Sequence, residues 1–474
     1  MSLSLPKITD DSDAAVVALF GPLVSIREPA LVDVATRHVA IHFQHPDSWS
    51  RLAALTPGRV LYRAIGSYNL VHVIELHDAT RVCIRVPATG WGRGLSGDDF
   101  ATAARAMTSQ VATLCLIASE TTVPVPVIYG YDTSADNKIG APYMCTSFLP
   151  GQSVARVWWG SEDDENELRE RREKRRRRIL RSVAHASAQL RKFKFAQIGP
   201  LHRQNECSGG GYGQLAVGSC FSFEHRDDGS LRVVDSGGPY DTLEAYLAQR
   251  FARSEFSPSS SDADPWEVAQ RKVMDVVAPL LPRADGAGGG GFVLGIPDFD
   301  SQNVLVDHSG NVTGMIDWDL VQTVPPCVGF VRYPAWITRD WDPLMYWWHA
   351  GVPGEDSPTQ LASYRRIYEA ALSSELKGKK AAADCRRLAR KAHVWEAVWI
   401  ALHHPVNRLE ICCKLVAEAV GKGDDLDEGR RILFEVGVGE ADWEVVQNGL
   451  ENLMRLEDRT DWLKNTPRRF CSVM

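Results

Sequence analysis

The sequence predicts an α+β fold of two lobes: a small β-rich N-lobe, a larger mainly helical C-lobe, and a helical C-terminal extension. Three observations predict it. Three β-type runs crowd between residues 57 and 86. Helix follows helix from Thr359 to Trp462. Between them, Gly295 to Asp319 (GIPDFDSQNVLVDHSGNVTGMIDWD) reads as loop, strand, turn and strand, ending in carboxylates. The expected divisions are 1–56, an N-terminal helical segment; 57–148, the β-rich lobe; 149–350, the large lobe; and 351–474, the extension and tail.

Taken in order, Asp10 to Phe20 and Glu28 to Gln44 have helical spacing. Arg59 to Ile65, Leu70 to Leu76 and Arg81 to Val86 are strands. The turn Gly66-Ser67-Tyr68-Asn69 has the small residues that let backbone N–H groups approach a phosphate, and equally the composition of an ordinary hairpin turn. Val82, Ile84 and Val86 share one face of the third strand, so Cys83 and Arg85 point the other way. Asp98 to Ser119 is a helix with Ala103, Met107, Val111, Leu114 and Ile117 on one side. Val125 to Gly130 and Pro142 to Phe148 complete the strands of the small lobe.

Glu162 to Phe195 has the composition of one long helix, whose run Arg169 to Arg178 is a solvated face. Cys220 to Glu224 and Leu231 to Val234 form a hairpin. Tyr240 to Arg250 and Trp266 to Leu281 are helices, separated by the polar loop Ser254 to Asp264. Gly288 to Gly291 give slack ahead of the central segment. The C-terminal helices are Thr359 to Leu376, Ala381 to His403, Arg408 to Val420, Asp427 to Val436 and Ala441 to Arg455.

Composition narrows the function. The 474 residues are 44% hydrophobic and 24% charged, values of a soluble globular protein. A formal net charge of -7 gives no general attraction to nucleic acid or anionic lipid. The ten cysteines are scattered without zinc-type spacing, and MSLSLPKITDDSD has no signal pattern, so reduced thiols and a cytoplasmic location are expected. No apolar run approaches a membrane span. The last residues, Cys471-Ser472-Val473-Met474, fit a prenylation signal with Arg468-Arg469 upstream, which makes weak peripheral membrane contact the alternative.

The central segment carries the chemistry. If Asp307 sits opposite Val312 across the turn His308 to Asn311, then Asn303 lies opposite Ile316, and Asn303 and Asp317 emerge at one end of the hairpin. Asp298 lies in the loop feeding that end. Two carboxylates and an amide oxygen suit Mg²⁺, which keeps positions for phosphate oxygens. The remaining carboxylate can take a proton from a hydroxyl nucleophile.

Asp298-x-x-x-x-Asn303 followed by Ile316-Asp317-Trp318-Asp319 resembles the catalytic and metal-binding segments of the aminoglycoside phosphotransferase and choline kinase-like branch of the protein-kinase fold. Thr323 to Pro343 resembles its fungal members in particular, and Thr121 to Pro126 and Asn137 to Met144 resemble segments of the family at large. The resemblance implies a kinase-like fold that transfers the γ-phosphate of ATP or GTP to a small-molecule hydroxyl with Mg²⁺. It implies Asp298 as base, and Asn303 and Asp317 as metal ligands. Gly66, Ser67 and Asn69 would serve as the phosphate loop, and Thr146, Ser147 and Phe148 would face the adenine edge.

Three positions depart from the family pattern. Arg85 stands where the family has lysine, Gln110 where a glutamate would hold that cation, and Ile296 where the loop histidine is expected. These departures leave a catalytically impaired, nucleotide-binding scaffold as the alternative. Asp319, Trp336 and Asp340, with Trp341, Asp342 and Trp347, form a group able to hold a cationic substrate, or else are core tryptophans with surface acids.

Overall fold

A computed structural model describes residues 17, 19–43, 58–88, 97–159, 169–204, 214–225, 231–252, 264–282, 291–348, 355–376 and 378–456. The β-type runs form one five-stranded antiparallel sheet: β1 (Arg59–Ile65), β2 (Asn69–Glu75), β3 (Arg81–Pro87), β4 (Ile128–Asp132) and β5 (Tyr143–Ser147), in the order β1-β2-β3-β5-β4. The alternation along β3 decides what each face does. Val82, Ile84 and Val86 are buried under the Glu28–His42 helix, against Leu31, Val34 and Val39. On the other side Met144 of β5 packs on Met107 and Val111 of the Gly97–Glu120 helix. Arg85 therefore leaves the sheet toward the rest of the chain.

Two expectations change here. The strand expected from Val125 starts only at Ile128, because prolines at 124 and 126 cannot donate to a ladder. Among the described residues one helix, Asp99–Glu120, is long and apolar enough by composition to cross a membrane, contrary to the sequence reading, and its most apolar stretch is more than half buried inside this fold.

In the large lobe the basic run lies on the Arg169–Gln189 helix, followed by a 3₁₀ turn at Leu190–Lys192. Most of the run faces solvent, but Arg176 turns inward and is 6% exposed. Its guanidinium meets Asp356 at 2.9 Å and donates to Tyr364 Oη at 2.8 Å and to the Trp158 carbonyl at 2.8 and 3.0 Å. Trp158 Nε1 also donates to Asp356, at 2.8 Å. Ile179, Leu180, Val183, Leu190 and Phe193 are buried as expected.

The helices after residue 350 form no core of their own. Pro358–Ser374 contributes Leu361, Tyr364, Tyr368 and Leu372 to the core around Ile179 and Val304. Ala392–His403 and its successors pack with Leu247, Val273 and Phe292 in a second core. The helix expected over Ala381 to His403 is two, Lys379–Ala389 and Ala392–His403. Lys391, at the break, donates from Nζ to the carbonyls of Leu453 (2.9 Å) and Arg455 (2.6 Å), where the Trp443–Met454 helix ends. Those terminal carbonyls lack intrahelical partners, and satisfying them redirects the chain.

The hairpin Cys220–His225 with Leu231–Gly237 reaches back to the small lobe. Arg105 meets Asp235 at 3.2 Å, and the Tyr68 and Phe223 rings meet edge-on at 4.7 Å. Residues 1–16, 162–168, 254–263, 283–290 and the Cys471 tetrapeptide lie outside the described residues, and with them the expectations placed there.

Asp356→Ala should leave Arg176 without its buried counter-ion, keeping only the partly exposed Glu173 at 3.1 Å, and should take the acceptor from Trp158 Nε1. The expected loss is about 3–5 kcal/mol of unfolding free energy, read from urea denaturation; a change below about 1 kcal/mol would contradict the assignment of this pair.

Candidate functional site

The central hairpin forms as Val304–Val306 against Val312–Met315. Val304 faces Met315 and Leu305 faces Gly314. Ile316 N–H donates to Asn303 O at 2.9 Å, so Asn303 and Ile316 are opposite each other as the sequence predicts. The far end differs by one residue. Val306, not Asp307, pairs with Val312, because Thr313 is the extra residue of a bulge and donates to Pro150 O at 2.5 Å. Asp307 turns to the loop, where its carboxylate accepts the N–H groups of Ser309 and Asn311 at 2.8 and 2.9 Å.

At the open end Asn303 Nδ2 donates to the Asp298 carboxylate at 2.8 Å and to the Asp298 carbonyl at 3.2 Å. Solvent reaches Asp298, yet the surrounding walls strip much of its hydration. That desolvation, then Asp300 and Asp317, raise its pKa above the ordinary carboxylate range, while Asn303 and Arg332 partly oppose the rise. A carboxylate so placed is a stronger base than a free aspartate.

Arg85 meets this end from the sheet. Its Nη2 lies 3.0 Å from Asp317 Oδ1 and 3.1 Å from Asp319 Oδ2. Asn69 Nδ2 donates to the same Asp319 oxygen at 2.6 Å. Burial, then the Asp317 charge, push Asp319 up to about 6 against the pull of Arg85 and Asn69. Asp317 has φ +62°, a conformation uncommon for a residue with a Cβ and frequent at functional sites.

The expected bond between Gln110 and Arg85 does not form. Gln110 is buried, and among the described residues its Nε2 has no hydrogen-bond partner. A buried guanidinium needs opposite charge, which a neutral amide cannot give and two carboxylates can. Asp319, expected against substrate, is thereby a partner of Arg85.

The remaining expectations divide. Gly66 N–H is engaged by Asn69 O within its own turn at 2.9 Å. A Cβ at Gly66 would meet nothing nearer than 3.4 Å, so the fold itself does not demand glycine there. Thr146 is buried, and the N–H groups of Ser147 and Phe148 donate to Val127 O and Arg81 O at 2.9 and 3.2 Å. An adenine edge would find those two donors already engaged. Trp336 is not at the cleft: it is packed edge-on to Trp158 and Phe299 in the core. Nor is Asp340, which is buried in a bidentate pair with Arg365 at 2.6 and 2.9 Å. The plainer reading is correct for Trp336, a core tryptophan, but not for Asp340, which is a buried acid held by Arg365 and not a surface one.

One residue escaped the sequence reading. Arg332 Nη1 donates to the carbonyls of Ile296 (2.5 Å) and Pro297 (3.0 Å), beside Asp298. Its only sequence signal is a lone charge between the apolar Val331 and Tyr333.

Among the described residues no group of three or more His, Cys, Asp or Glu is arranged to hold a metal. The candidate donors are one amide and one carboxylate, Asn303 and Asp317. Such an incomplete oxygen set fits Mg²⁺, which is ordinarily completed by phosphate oxygens and water, better than a closed structural site.

The sequence profile of APH, the phosphotransferase enzyme family, matches residues 98–373, more than half of the chain. Clavilactone A biosynthesis cluster protein Y of Ampulloclitocybe clavipes is 32% identical over 105 residues, 21% of this chain and 26% of that protein. A subtelomeric hrmA-associated cluster protein of Aspergillus fumigatus is 24% identical over 143 residues, 30% of this chain and 24% of that protein. The chain thus spans about a quarter of the length of these curated relatives. Aminoglycoside phosphotransferase APH(4)-Ia superposes with TM-score 0.39 at 13% identity, covering 88% of this chain and 99% of that one.

The pairing of Arg85 separates the two carboxylates by their effect on stability. Asp319→Ala removes a largely buried partner and should cost about 3 kcal/mol or more. Asp317→Ala removes a partner that is 41% exposed and should cost about 1 kcal/mol or less. Denaturant melts of both variants check the order; equal losses would contradict it.

Proposed function

Because this chain belongs to the APH phosphotransferase enzyme family, with its kinase-like two-lobed fold, we propose that it transfers the γ-phosphate of ATP or GTP to a hydroxyl of a small molecule, with Mg²⁺. One observation carries the reading: Asp298, Asn303 and Asp317 converge at one hairpin end, and Arg85 reaches them from the sheet. Asn303 and Asp317 would hold the metal, which when bound neutralises phosphate charge.

The protein's own groups do the rest. Asp298 accepts the proton of the acceptor hydroxyl, and its raised pKa improves it as a base. Arg85 stays charged and offers phosphate a planar fork, so replacement of lysine keeps the charge while changing the geometry. Gly66 places no side chain between the β1–β2 turn and an approaching phosphate. Positioning and charge stabilisation supply most of the rate in this chemistry, so the departure at Gln110 matters less once carboxylates hold Arg85.

A scaffold without turnover is the second reading. It is favoured by the same ion pair, since Arg85 is engaged with the carboxylate that would bind metal.

Melting curves with ATP or GTP, each with and without Mg²⁺, test the binding. At a hundredfold excess over Kd the gain should be about 2.7 kcal/mol, and it should require the metal. Nucleotide turnover should fall about 100-fold or more in Asp298→Asn. Because the base must be deprotonated and its pKa is raised, the rate should be lost on acidification at a higher pH than an ordinary aspartate would give. Binding without turnover at any pH would favour the scaffold.

A further inference from the structure

The loop that carries Asp298 has lost the histidine that would brace it. Ile296, at that place, is 5% exposed and offers only an apolar side chain. The carbonyls of Ile296 and Pro297 both accept from one nitrogen of Arg332, at 2.5 and 3.0 Å. The other terminal nitrogen of that guanidinium lies 2.6 Å from Glu396 Oε1. Glu396 sits on the Ala392–His403 helix, 1% exposed, between Trp395 and Ala397 of the second core.

We propose that Arg332 and Glu396 form a buried strut that positions Asp298 for proton abstraction, taking over from the missing loop histidine; this rests on the phosphotransferase reading of the site. The argument is geometric. Pro297 fixes its own φ, so anchoring the carbonyls of residues 296 and 297 sets where the Asp298 Cα begins. A planar guanidinium donates to the loop through one nitrogen and meets a carboxylate through the other, which a lysine ammonium cannot reproduce. Glu396 in turn neutralises a cation that would otherwise be buried alone beside the loop. Arg332 and Glu396 are therefore positioning residues, and the C-terminal helices belong to the catalytic scaffold.

The test compares Arg332→Lys and Glu396→Gln with Val398→Ala, a core deletion on the same helix at a residue that is fully buried. Steady-state hydrolysis of Mg-ATP is measured on each full chain, with hydrogen–deuterium exchange of residues 293–303. Both strut variants should lose about 100-fold in kcat, the cost of a small misplacement, and should exchange faster in that segment. Their KM for ATP should stay within about twofold of wild type, because the nucleotide-binding groups are untouched. Val398→Ala should lower the melting temperature while leaving kcat and loop exchange in place.

Equal kcat losses in all three variants, or raised KM with unchanged kcat, would overturn the proposal. If Glu396→Gln does not fold, Arg332→Lys, which keeps the buried charge, carries the test. If the wild type turns over no nucleotide, the functional reading fails first and exchange alone judges the strut. Faster exchange of residues 293–303 in the strut variants would then support the brace, and unchanged exchange would refute it.

Discussion

A guanidinium taken out of water must find opposite charge close by, and Arg85 finds it across the cleft. Its partners, Asp317 and Asp319, leave the central hairpin at the end where Asn303 and Asp298 also lie. The requirement constrains both lobes. It orients β3 with its charged face toward the hairpin, and it draws Asn69 of the β1–β2 turn onto the same Asp319 oxygen. It is also compatible with the left-handed backbone at Asp317, where a constrained residue delivers its carboxylate to the cleft. Under the proposed function, phosphate oxygens would compete with Asp317 for Arg85 and free that carboxylate for the metal.

The same logic of buried charge recurs deeper in the large lobe. Arg176 with Asp356, Arg365 with Asp340, and Arg332 with Glu396 each join segments distant in sequence through one guanidinium. Ion pairs of this kind add little net stability relative to apolar packing, but losing one partner is costly, so they fix which segments lie side by side. Through them the helices after residue 350 reach the Asp298 loop and its surrounding core.

Much of this was legible in the sequence, for physical reasons that differ by element. The period-two pattern of Val82, Ile84 and Val86 gave the buried face of β3 and hence the exit of Arg85. The hairpin count placed Asn303 opposite Ile316 correctly because the register holds from that end. It failed at Asp307, where the Thr313 bulge depends on a bond to Pro150 that no local pattern encodes. Trp336 and Asp340 were ambiguous for a similar reason: aromatic and acidic residues near a site in sequence are sorted into core or cleft only by distant partners such as Trp158 and Arg365. The break at Lys391 and the role of Arg332 likewise depend on residues some 60 positions away. The resemblance supplied the expectation of Gln110 as the holder of Arg85, and electrostatics replaced it with carboxylates.

The account stands or falls on a metal–nucleotide site between the hairpin and the sheet. The most direct measurement is electron paramagnetic resonance of Mn²⁺ titrated into the protein with and without ATP. The account predicts one bound Mn²⁺ per chain that requires ATP and disappears in Asp317→Ala. Mn²⁺ binding that is indifferent to nucleotide, or that survives in Asp317→Ala, would contradict it.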